Sequence, residues 1–109
     1  MNISVVTHNQ IEGFHRWPGA PERCGFLADR HRHVFVIACE FAVSDADREI
    51  EIFTRQQEIQ RLVAGRFGTP AEFGAMSCEH IALWLAEQLP GCEKCTVLED
   101  GAGGAIARG

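Results

Sequence analysis

The sequence predicts an α+β domain with a four-stranded antiparallel sheet and two helices on one face. Three observations carry this. Residues 32–43 (RHVFVIACEFAV) are dense in β-branched and aromatic side chains and stop at the turn residues Ser44-Asp45-Ala46-Asp47, as a strand does. Two stretches with apolar residues at helical spacing follow. Short extended segments flank them, giving the order strand, strand, helix, helix, strand, strand, a pattern that segregates helices to one side of an antiparallel sheet.

Taken in order, residues 2–7 (NISVVT) read as a short strand. Residues 16–30 hold two prolines and two glycines and read as a long loop, which in a compact domain is often functional. Alternation along 32–43, extended back to His31, puts His31, His33, Phe35, Ile37, Cys39 and Phe41 on one face and Arg32, Val34, Val36, Ala38 and Glu40 on the other. Residues 49–53 (EIEIF) suggest a second short extended piece. Thr54 with Gln57 three residues later forms a capping-box pattern, so the first helix is expected from there to about Ala64, ending at Gly65. The second starts at Ser77, with Glu79 favourable in its first turn. It carries Ile81, Ala82, Trp84, Leu85 and Leu89 and ends before Pro90-Gly91. Residues 96–99 and 105–107 read as the last two strands, joined by the glycine-rich turn at 101–104.

The 109 residues are expected to form one domain, 1–109, and a hydrophobic content of 46 % allows a real core. A chain this small leaves apolar surface uncovered, which favours a homo-oligomer. The net charge of −5 argues against a nucleic-acid surface, which needs a basic stripe. The basic residues at 30–32 suffice for a small anion only. No run reaches the roughly 18 apolar residues of a membrane helix, and MNISVVTHNQ lacks the pattern of a signal peptide, so a cytoplasmic protein is expected. With five cysteines, an odd count, and Cys39 inside an apolar run, a disulfide scaffold is not expected. A single CEKC at 92–95, placed at a helix-to-strand connection, is read as structural.

Three of the five histidines fall within residues 15–33. Catalytic zinc keeps three protein ligands and an open position, and an HxH pair on a strand plus a distant histidine fits that arrangement; His15, His31 and His33 are the candidate Zn2+ ligands. Cys24 lies in the same loop. Beside a metal or a basic group its thiolate would serve as base or nucleophile; otherwise it is a small apolar filler. Glu99, at a strand end before Asp100-Gly101, could accept two N–H groups from an amidine-like edge such as that of a guanine or pterin, or it is a solvated turn acid.

These motifs together resemble the 6-pyruvoyltetrahydropterin synthase and 6-carboxytetrahydropterin synthase family: HRWPGAPERCGFLADRHRHVF for the His, Pro-loop, Cys and HxH strand, MSCEHIALWLAEQL for the helix, VLEDGAGGAIARG for the tail. The resemblance spans almost the whole chain. It implies the tunnelling fold, in which ββααββ subunits join into an oligomeric barrel, as a tetramer or hexamer, with sites between subunits. It implies zinc on His15, His31 and His33, Cys24 as the proton-abstracting group, and a pterin or purine-like ring anchored by Glu99 and the backbone near Ser77 and Cys78. The implied activity is that of a lyase on a dihydroneopterin triphosphate-type substrate, in pterin or 7-deazaguanine biosynthesis. The family's Asp-His pair between the helices has no counterpart in LVAGRFGTPAEFGAMS. His80 is the nearest substitute, and the glycine of HGH is Arg32. A non-catalytic protein of the same fold that binds a pterin or guanine-like ligand is the alternative.

Overall fold

The computed structural model describes residues 2–109. Strand β1 (Ile3–His15) runs antiparallel to β2 (His31–Val43), in register from Ile3 opposite Val43 to His15 opposite His31. β1 extends well beyond residues 2–7. Its inward row, Thr7, Asn9, Ile11, Gly13 and His15, is buried but mostly not hydrophobic, so the sequence pattern hides the alternation.

The sheet has five strands and is mixed, which corrects the four-stranded antiparallel expectation. β3 (Ala71–Gly74) pairs parallel with β1 at Gly13–His15, β4 (Cys92–Glu99) pairs with β2, and β5 (Gly103–Arg108) pairs with β4, giving the order β3-β1-β2-β4-β5. The four residues of β3, which follow Pro70 and end on a left-handed Gly74 (φ 63°), are too few to display a period, so β3 is invisible to pattern reading. Cys92 opens β4, directly after the connection from α2, and Cys95 lies inside the strand; all five cysteines are free.

Helix α1 (Ile52–Phe67) starts before the expected Thr54 because Glu51 is the N-cap. Its carboxylate accepts hydrogen bonds from the Phe53 and Thr54 amides and the Thr54 hydroxyl. Residues 49–51 are therefore a bend and a cap, not an extended piece. The helix passes through Gly65 and stops at Gly68, whose φ of 88° suits a residue without Cβ. Helix α2 (Cys78–Gln88) matches expectation: Ser77 caps it, and its capping box is completed by His80. The loop at 16–30 contains a short 3-10 helix, Glu22–Ala28.

Both helices pack on one face of the sheet over a single core that includes Ile37, Ile59, Val63, Ile81, Leu85 and Val97. At the end of the sheet near the histidines, the core is aromatic. Phe35 and Phe73 meet at 4.9 Å between ring centroids, and Phe73 packs on Phe67. Gly13 permits this: a Cβ there would stand 2.8 Å from the Phe73 ring and 3.1 Å from that of Phe35.

The Glu51 cap makes a pH prediction. Hydrogen bonds from the Thr54 hydroxyl, then from the Phe53 and Thr54 amides, hold its carboxyl below the ordinary range. A depressed folded-state value contributes stability above the unfolded value of about 4.3, which is lost as pH falls through the folded value. Glu51→Ala is therefore expected to melt below wild type at pH 7, with a gap that narrows as pH drops below about 4. Equal melting temperatures at pH 7 would remove the cap from the account.

Candidate metal centre

β1 ends on His15 and β2 begins on His31, and these two residues are direct cross-strand partners. His33 follows on the same face, as β alternation requires. The three rings cluster with centroids 4.6, 5.3 and 4.9 Å apart, and one nitrogen from each falls within 4.8 Å of the others. No other group of potential ligands among the described residues converges this way.

Each ring is held by its other nitrogen. His15 Nδ1 lies 2.9 Å from the Met76 carbonyl, His31 Nδ1 2.8 Å from the Asp29 carbonyl, and His33 Nδ1 2.6 Å from Asp100 Oδ2. A carbonyl can only accept, so Nδ1 carries the proton in the first two, and the Asp100 carboxylate fixes the same tautomer in the third. In each neutral ring, Nε2 is then a bare lone pair. Orientation of metal-binding histidines by such outer partners is the usual arrangement. His15 Nε2 and His33 Nε2 are buried and have no hydrogen-bond partner. Buried polar atoms in native proteins are rarely left so. The donor set therefore fits a divalent cation such as zinc.

Asp100 also accepts the Val34 amide at 2.8 Å, and the His33 hydrogen bond, aided by that amide, holds its carboxyl below the ordinary range. A left-handed φ of 54° at Asp100 turns the chain so that both Glu99 and Asp100 reach the histidines, where a continuing strand would send them to opposite faces. Glu99 Oε2 stands 2.9 Å from His15 Nε2 and Oε1 stands 3.7 Å from His33 Nε2, close in distance yet without hydrogen-bond geometry. The Cys78 thiol lies 3.5 Å from Glu99 Oε2. Burial, and then the Glu99 charge, push that thiol up to about 12, so it remains an S–H donor.

A cavity of about 750 Å³ opens over the histidines, walled by Arg16, Trp17, Leu27, Met76 and Glu99 among others. Ser77 and Cys78 line it too, but the Ser77 amide already donates to His80 Nδ1 at 3.3 Å. His80 is committed to the helix cap and does not line the cavity. Cys24 is half-buried in the 3-10 helix and is not part of the cavity wall. The basic residues near 30–32 are paired, Arg30 with Glu72 and Arg32 with Glu12. The arginine that lines the cavity is Arg16 instead.

Sequence reasoning missed Asp100, Trp17, Arg16 and the Met76 and Asp29 carbonyls. The Asp-Gly pair after Glu99 was a usable turn signal for Asp100; the carbonyls carry no sequence signal at all. No protein-family model matches this chain, and none of the curated proteins matches it. No helix among the described residues is long and apolar enough to cross a membrane.

Proposed function

We propose that this protein is a zinc-dependent lyase of the 6-pyruvoyltetrahydropterin synthase kind, acting on a pterin of the dihydroneopterin triphosphate type. One observation carries the reading: three imidazoles, each held through Nδ1, cluster at the floor of a cavity large enough for a bicyclic ring, and the Nε2 atoms of His15 and His33 are buried without a hydrogen-bond partner. Bound there, zinc supplies Lewis acidity to the oxygens of the ligand's side chain. The half-exposed indole of Trp17 on the wall offers a face for a flat ring, and Arg16 offers a charge for phosphate. Glu99, turned towards the ring once a ligand is present, accepts two N–H groups from its amidine edge. In this reading Cys24 is the proton-abstracting group, as the resemblance implies.

A homo-oligomer belongs to the same reading. The sheet face away from the helices carries Val6 and Ile106 exposed and Val34, Val36 and Leu98 half-buried, and β1 is covered on its outer edge only at Gly13–His15. Open edges of this kind invite strand pairing with another copy.

The second reading is a non-catalytic binder of a pterin or guanine-like ligand. The position of Cys24 outside the cavity wall and the helix-cap role of His80 favour it. Incubation of zinc-loaded protein with dihydroneopterin triphosphate, followed by chromatography, separates the two. The lyase reading expects a new product, absent with Cys24→Ala. Retention of unchanged ligand favours the binder. Neither binding nor turnover overturns both.

A further inference from the structure

We infer that Glu99 is the fourth ligand of the metal in the ligand-free protein, so that the resting centre is three imidazoles and one carboxylate, with an arriving ligand taking the place of Glu99. This rests on the metal reading above and extends it. Glu99 pairs with Phe35 across β2 and β4, and Phe35 shares its face with His31 and His33. Strand register thereby commits the Glu99 side chain to the histidine face, and the left-handed turn at Asp100 brings it close.

The electrostatics point the same way. In the neutral ring, Nε2 of His15 is a lone pair because its Nδ1 donates to the Met76 carbonyl, yet a carboxylate oxygen lies 2.9 Å from it. At His33, Asp100 occupies Nδ1, and the second Glu99 oxygen lies 3.7 Å from Nε2. Acceptor therefore faces acceptor twice, at atoms that are buried and unpartnered. Such an arrangement is repulsive unless a cation lies between the groups. A proton on Nε2 serves poorly, because the contact lacks hydrogen-bond geometry. A divalent ion touching all of these atoms satisfies them together. Cys78, from the first turn of α2, donates to Glu99 Oε2 and holds the carboxylate in place. Carboxylate oxygen beside imidazole nitrogen is an ordinary zinc donor set, and zinc prefers four ligands, so three histidines leave one position for Glu99. The centre would then be closed at rest and opened by its ligand, whereas a three-histidine site would hold water.

The test uses the whole protein, stripped of metal and titrated with Zn2+ against a chelator and with Co2+ by visible absorption. Glu99→Gln is expected to weaken zinc at least tenfold, as loss of a partner at such a site does, and to change the cobalt spectrum. Unchanged affinity and an identical spectrum would overturn the fourth-ligand assignment while leaving the three-histidine centre standing. Failure of wild type itself to bind either ion would overturn the centre as a whole. A crystal structure of zinc-loaded wild type decides the matter without a variant: a Glu99 oxygen about 2.0–2.2 Å from the metal supports the assignment, and a water in that position removes it.

Discussion

Purified protein is expected to carry about one zinc per chain, falling to background when His31 and His33 are both changed to alanine. Both side chains face inward from one strand, and one ring nitrogen from each, together with one from His15, converges within 4.8 Å. The double variant leaves a single imidazole, so chelation is lost rather than weakened. Because the three histidines are brought together only in the folded chain, metal binding there would be coupled to folding. At a free zinc concentration 1,000 times Kd, wild type should gain about 4 kcal/mol of stability, and the double variant none. Elemental analysis and thermal unfolding with and without zinc read these outcomes. A wild-type protein that neither holds metal nor responds to it would refute the centre.

Phe35→Ala is expected to cost about 3–5 kcal/mol, a large share of the roughly 5–15 kcal/mol that holds a domain together. Phe35 is fully buried at the junction of core and site. Its ring lies edge-on to His15 at 5.2 Å and to His33 at 5.7 Å, and it packs on Phe73. Deleting it opens a void beneath two rings of the histidine cluster, and a void also forfeits the dispersion contacts of the atoms around it. Phe35→Leu keeps most of the volume and should cost less while still loosening both imidazoles. Its zinc affinity should therefore fall more than its stability alone would suggest. Urea unfolding and zinc titration of the two variants check this, and a loss below about 1 kcal/mol for Phe35→Ala would place Phe35 outside the core.

The parts of this architecture visible in the chain were those with a short, strong period. β2 could be read because Phe35, Ile37, Cys39 and Phe41 alternate with smaller or polar residues, and α2 because Ser77 and Pro90 punctuate it. α1 was displaced at its start because Glu51, a residue that reading by Ser, Thr, Asp and Asn caps passes over, bonds two amides and a hydroxyl. It ran past Gly65 because a helix tolerates a glycine and needs left-handed geometry, supplied by Gly68, to stop. β3 was lost for want of length, and with it the Met76 carbonyl that orients His15.

The histidine triad was readable from HxH alternation plus a third imidazole, since residue type and a period of two are local properties. Which lone pair each ring offers was not, because that depends on Met76, Asp29 and Asp100, and two of these partners lie more than 60 residues from the ring they hold. The same holds for Glu99: its chemistry is evident in the chain, but its approach to the histidines comes from the β2–β4 register and the left-handed turn at Asp100. Cys24 marks the opposite limit, a residue whose type and neighbourhood in sequence promise reactivity but which packing places off the cavity wall. Local pattern chose the strand faces and the ligand types. Long-range pairing, which no spacing encodes, set their tautomers, their fourth partner and the cavity above them.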